Sequence, residues 1–91
     1  MPLYNDWAPA TYDGLPLYPY KAVEHDLRSA GVLLRDVASM LQNSEPTPGV
    51  IRSGLEDRVA TFQGTKYRII LEPGLIPDLG EVWFLKHFKP Y

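Results

Sequence analysis

The sequence predicts an α+β domain in which two short helices precede and pack on a three-stranded, possibly four-stranded, antiparallel sheet. Three observations carry that reading. Apolar residues recur at helical spacing between Tyr20 and Asn43, Gln63-Gly64 separates two strand-like segments, and Val82-Trp83-Phe84-Leu85 forms a short aromatic and aliphatic run. With 91 residues, 45% hydrophobic and 22% charged, the composition suits one globular domain. The expected organisation is a proline- and aromatic-rich arm over residues 1–19, followed by a single α+β domain over residues 20–91.

The first helix is expected from Tyr20 to Ala30, because Val23, Leu27 and Ala30 fall on one helical face after Pro19 and Gly31 supplies a stop. A second helix follows over Val32 to Asn43, with Leu34, Val37, Ala38 and Leu41 on one stripe and Arg35, Asp36, Ser39 and Gln42 outward. It must end before Ser44-Glu45-Pro46-Thr47-Pro48-Gly49, where two prolines and a glycine forbid continuation. Arg58–Phe62 and Thr65–Glu72 then read as a hairpin. Tyr67, Ile69 and Leu71 should face one side of the second strand, and Lys66, Arg68 and Glu72 the other. Glu81–Phe88 reads as the last strand, ended by Pro90. The expected core is Val23, Leu27, Leu34, Val37, Leu41, Tyr67, Ile69, Leu71, Phe84 and Leu85.

Two segments stay open to two readings. Pro2, Pro9, Pro16 and Pro19 exclude a helix in the arm and leave an extended segment or an irregular edge strand around Leu15–Tyr18. Its aromatics, Trp7 and Tyr12 among them, either cover the domain or engage a protein partner. Pro73–Gly80 is expected as an eight-residue connection whose Leu75, Ile76 and Leu79 either fold back on the core edge or form an apolar tip for a partner.

Cysteine is absent, so disulfide and thiolate chemistry are excluded, and no metal site or cofactor is expected. The N-terminus lacks the basic region and apolar run of a signal peptide, and no apolar stretch approaches a membrane span; the chain reads as cytoplasmic. Net charge is −2, with three basic and six acidic residues in 1–49 against six and five in 50–91. Any cationic surface belongs to the second half, and the mildly acidic total counts against RNA as the main partner, though a small local patch is compatible with it.

The candidate site is therefore the polar set of the sheet: Arg58, Lys66 and Arg68 on the hairpin, then Lys86, His87, Lys89 and Tyr91. Cleavage of RNA by its own 2′-hydroxyl needs a base, cations for the phosphorane and an acid for the leaving oxygen, all of which these residue types supply without a metal. Simple alternation puts His87 on one face with Leu85 and Lys89, and Lys86 on the other with Phe84 and Phe88. Only one of these sets can join Lys66 and Arg68. His25, between Glu24 and Asp26, reads as a solvent-facing helical residue.

Gly31-Val32-Leu33-Leu34-Arg35-Asp36-Val37-Ala38-Ser39-Met40-Leu41 resembles the Gly-Ile-x-x-x-Asp-Val-x-x-x-Leu helix of small prokaryotic domains related to RelE. Thr65–Leu71 and Val82–Lys89 are similar to the "Tyr-Arg-Ile" and final "Leu-Leu-His-x-Phe-x-Lys" strands of RelE- and HigB-type toxins, in the barnase, colicin and RelE ribonuclease superfamily. The resemblance spans residues 20–91. It implies a RelE-like fold and an RNA endonuclease toxin that acts on RNA or at the ribosome and is neutralised by an antitoxin. It places Arg68 at the phosphate and His87, Lys89 or Tyr91 as acid or base. Arg58, Lys66, Lys86 and Lys89, from the polar set of the sheet, are expected to bind substrate. The chain departs from the pattern at Ala22 and Asp26, where the related domains commonly have His and Arg. The other function class the sequence supports is a catalytically silent adaptor or inhibitor that binds protein through Trp7, Tyr12, Leu75, Ile76 and Leu79.

Overall fold

The computed structural model describes residues 10–50 and 54–91. In chain order, β1 (Thr11–Tyr12) and β2 (Leu15–Pro19) lead into α1 (Lys21–Ala30) and α2 (Leu34–Gln42). Then come β3 (Glu45–Pro46), β4 (Glu56–Phe62), β5 (Thr65–Ile76) and β6 (Gly80–Pro90). They build one six-stranded sheet in the order β1-β2-β6-β5-β4-β3. All neighbours are antiparallel except β2 and β6, which run parallel with Leu17 opposite Trp83 and Pro19 opposite Leu85.

This architecture corrects the expected one. The sheet is six-stranded and mixed instead of three- or four-stranded and antiparallel, and the helices lie in mid-chain, after two strands, instead of ahead of the sheet. The difference turns on prolines. Pro16 points its nitrogen toward β6, whose pairing starts only at Leu17, and Pro19 points toward the β1 side, past the Leu17 N–H to Ala10 carbonyl bond. Neither proline removes a needed ladder donor, so a segment rich in proline still forms strand. Asp13 and Gly14, at φ 54° and 81°, close β1 on β2 as Gln63 and Gly64, at φ 50° and 84°, close β4 on β5; paired positive φ values match the right-handed strand twist.

Both helices lie on one face. Val23 and Leu27 of α1 and Val37, Met40 and Leu41 of α2 join Leu17, Ala60, Tyr67, Ile69, Leu71, Leu85 and Phe88 of the sheet in one buried cluster, where the Tyr67 and Phe88 rings stack 4.4 Å apart. α1 ends with Val32 N–H bonded to the Leu27 carbonyl and Gly31 N–H to Arg28, the paired bonds that satisfy its last carbonyls. α2 starts with the Leu33 N–H bonded to Asp36 at 2.9 Å, so Asp36, expected only as an outward-facing helical residue, caps the start of the helix.

Two expected core residues differ. Leu34 is half-buried at the cluster's margin, and Phe84 lies half-buried on the opposite face, across Gly74. A Cβ on Gly74 would stand 2.1 Å from the Phe84 ring, so the ring occupies the space a side chain would take. The expected 73–80 loop is mostly strand: β5 continues through Ile76 and β6 begins at Gly80, joined by a tight turn with Leu79 N–H bonded to the Ile76 carbonyl.

Leu41→Ala, which removes a buried anchor of α2, should cost about 2–5 kcal/mol in denaturant titration. Gly74→Ala should also destabilise the fold by displacing Phe84, and Gly74→Ala combined with Phe84→Ala should recover part of that loss; equal stability of Gly74→Ala and the parent chain would exclude the close contact.

Candidate functional site

The sheet face away from the helices is set by β5. With Tyr67, Ile69 and Leu71 directed at the helices, Lys66, Arg68, Ile70 and Glu72 take the other side. The register adds Asp57 and Val59 from β4, opposite Ile70 and Arg68. On β6 the pairing shifts by one residue: Leu71 faces Leu85 but Ile70 faces His87, so Lys86 is the extra residue of a bulge. Leu85 and Phe88 therefore both point to the helices, while His87, Lys89 and, beyond the strand, Tyr91 join Arg68 and Lys66. Unbroken alternation through β6, which coupled His87 to Leu85 and Lys86 to Phe88, is corrected by this bulge.

The centre of the face is a clamp. Arg68 donates to Asp57 through Nε at 2.9 Å and Nη2 at 2.6 Å, in a bidentate pair, and Thr47 Oγ1 donates to the same carboxylate at 2.7 Å. The Asp57 side chain is only 6% exposed, which makes these partners necessary: an unpaired buried carboxylate would cost several kcal/mol. The hydrogen bonds from Arg68 to Asp57 hold the guanidinium above its already high pKa. Of its five N–H groups two donate to Asp57, and the other three have no partner among the described residues.

His87 stands beside this clamp. Burial lowers its pKa below the ordinary 6.5, and the charges of Arg68 and Lys89 lower it further against the opposing pull of Asp57 and Asp26. It is thus a neutral imidazole near pH 7. Lys89 is paired to Asp26 of α1 at 3.2 Å, and Lys66 Nζ lies 5.5 Å from the Tyr91 ring centroid.

Of the residues expected to form a site, Arg68, His87, Lys66, Lys89 and Tyr91 are brought to one face. Lys86, at the bulge, lies farther along, 3.7 Å from Glu72 and 6.0 Å from the Tyr20 ring centroid. Arg58 is not part of the group: it faces the helix side, where Nε donates to Ser44 Oγ and Nη2 to the Ser44 carbonyl, both at 2.8 Å. Of the expected partner-binding set, Trp7 lies outside the described residues. Tyr12 is half-buried with its ring 5.9 Å from Trp83, Ile76 is half-buried, and Leu75 and Leu79 are 70% and 48% exposed on the β5–β6 hairpin.

No family model, curated protein or solved structure matches this chain. The site's reading therefore rests on its own geometry. Asp57 and Thr47 were missed from the sequence, although counting the hairpin register back from Gln63-Gly64 puts Asp57 opposite Ile70, diagonal to Arg68. Thr47 carries no such signal, since it sits in a proline-rich loop.

Two measurements check this account. An NMR titration should give His87 a pKa below 6.5. Because the unfolded chain then binds a proton that the native state refuses, stability should fall as pH drops from 6.5 through the native value, and His87→Gln should flatten that slope. Asp57→Asn, which breaks the charged pair, should cost about 1.5–3 kcal/mol; no loss would mean the clamp does not support the fold.

Proposed function

We propose that this chain is a metal-independent RNA endonuclease acting through the helix-free face of its sheet, in the cytoplasm and as a toxin held in check by a protein antitoxin. The observation that carries the reading is the convergence of Asp57, Arg68 and His87 from three neighbouring strands on one face, with Lys66, Lys89 and Tyr91 around them. A neutral His87 accepts the proton of a ribose 2′-hydroxyl, whose oxygen bonds to the adjacent phosphorus as the bond from phosphorus to the 5′-oxygen breaks. Tyr91 gives its phenolic proton to that leaving oxygen; afterwards the His87 imidazolium releases its proton to solvent and Tyr91 takes one from solvent, so both groups return to their starting state. The products are a 2′,3′-cyclic phosphate and a 5′-hydroxyl. Arg68, with its plane fixed by Asp57, offers its remaining N–H groups to the phosphorane charge, and a cation fixed beforehand stabilises that charge without reorganising. Lys66 and Lys89 add positive charge beside it.

The second reading is a catalytically silent protein-binding module. Leu75 and Leu79, exposed on the β5–β6 hairpin, favour it, because apolar side chains on a projecting turn gain by contact with a partner.

Purified protein incubated with RNA in chelator, with and without ribosomes, separates the two. Cleavage is expected, with His87→Ala lowering the rate about 100- to 1000-fold. Arg68→Lys is the better arginine variant, since it keeps a cation opposite Asp57 but loses the bidentate fork, and it should also slow cleavage markedly. Intact RNA in both conditions, with normal growth of bacteria expressing the chain, would sink the nuclease reading and leave the binding module.

A further inference from the structure

The exposed aromatic side chains are not scattered evenly. Tyr18 on β2 lies opposite Phe84 on β6, and Phe84 lies opposite Glu72 on β5, all on the face that carries Arg68 and His87. Tyr20 joins them: its phenol donates to Glu72 at 3.0 Å and its ring centroid lies 5.9 Å from that of Phe84. Tyr18 and Tyr20 are 38% and 42% exposed, and at the other end of the same face Tyr91 is 57% exposed. The His87 and Arg68 pair thus has aromatic rings on both sides. The hydroxyl of Tyr20 is engaged, and that of Tyr18 has no partner among the described residues, so neither ring is exposed because its polar end demands a buried acceptor.

Charge follows the same line. Lys86 lies by the Tyr20 and Phe84 end, Lys89 and Arg68 in the middle, and Lys66 over Tyr91. Lys86, Lys89 and Arg68 are each paired with an acid, Glu72, Asp26 and Asp57, so they offer short-range phosphate contacts and not a broad positive field. A row of such contacts interleaved with rings matches a chain of alternating phosphates and flat bases. It does not match a duplex, whose bases stack on each other and leave only edges and backbone to a protein. It does not match an aliphatic protein surface either, which would gain nothing from the lysines. From Phe84 to Tyr91 the strand covers roughly 20 Å once the bulge residue is discounted, a surface on which a sheet stacks about two or three bases.

We propose that Tyr18, Tyr20 and Phe84 form a base-stacking platform that binds single-stranded RNA on one side of the Arg68 and His87 cluster, with Tyr91 stacking the next base on the other side. This deepens the nuclease reading and rests on it for the position of the scissile phosphate, but the binding it describes is measured without cleavage. The platform gives the face its selectivity for unpaired RNA. Since stacking tolerates any base, it selects strandedness and not sequence.

The test uses the full chain and three labelled probes read by fluorescence anisotropy: a non-cleavable 2′-O-methyl hexamer, an abasic hexamer with the same number of phosphates, and a duplex of the first with its complement. The hexamer should bind at least about 10-fold tighter than the abasic strand, and the duplex no better than the abasic strand. Tyr18→Ala and Tyr20→Ala should each weaken hexamer binding by about 5- to 150-fold and leave abasic binding unchanged, while Tyr20→Phe, which keeps the ring, should bind like the parent. If Tyr20→Ala proves unfolded by circular dichroism, Tyr18→Ala, at an exposed strand position, decides alone. Equal binding of hexamer and abasic strand, no effect of Tyr18→Ala, or no binding of the hexamer would overturn the platform. Ring-dependent binding without cleavage of an all-ribose hexamer would keep the platform and sink the nuclease. Cleavage that ignores the rings would do the reverse.

Discussion

One extra residue in β6 decides which side chains meet on either face of the sheet. Leu85 and Phe88 are both buried against the helices although they stand three apart, which unbroken alternation does not permit. Had the pairing continued without a bulge, keeping Leu85 inward would have carried His87 and Lys89 into the apolar layer, at a desolvation cost of several kcal/mol. Placing the irregularity at Lys86 removes that conflict. The long lysine tolerates the bulge because its amine reaches Glu72 at the surface. The consequence for the other face is immediate: His87 arrives beside Arg68, and the polar cluster exists because the core is correctly filled.

That relation explains how much could be read from the chain itself. Helical spacing in 20–43 marked both helices, Gly31 marked the end of the first, and Gln63-Gly64 marked the central hairpin, since each depends on neighbours a few residues away. The spacing of Leu85 and Phe88 also held the bulge, had both been assigned to the core together. What sequence reasoning could not reach depends on distant partners. Whether Pro16 and Pro19 are compatible with a strand depends on which neighbour each nitrogen faces, and β2 pairs in parallel with β6 from the far end of the chain. The cationic residues of the site were visible as residue types, and Glu72 was placed on the face of Lys66 and Arg68, but Asp57 and Asp26 were not linked to their partners, because they come from other elements.

Those pairings change the electrostatics of the face. Arg68 is matched by Asp57, Lys89 by Asp26 and Lys86 by Glu72, so its field is close to balanced, in keeping with a chain of net charge −2. For the RNA substrate proposed above, long-range attraction would be correspondingly small, and affinity would have to come from contacts made at close range. Asp26 is informative here. Its carboxylate meets Lys89 of the last strand at 3.2 Å, so α1 contributes an anion to the margin of this face.

The clamp and the helix packing also share a single loop. Asp57 and Arg58 are adjacent on β4 and point to opposite faces, yet both reach the segment that follows α2: Arg58 holds Ser44 on the helix side, and Asp57 accepts from Thr47 on the other. The segment is thereby bound from both sides of one strand. Ser44 Oγ also donates to the Leu41 carbonyl at 2.7 Å, so the helix side carries one hydrogen-bonded set, Leu41, Ser44 and Arg58, and the other face a second, Thr47, Asp57 and Arg68. The two are joined through the backbone of the loop and of β4. The loop that supplies Thr47 to the clamp is thus the same loop that Arg58 ties to the end of α2, so the orientation of Arg68 and the packing of the helix layer draw on one short segment, Ser44–Thr47.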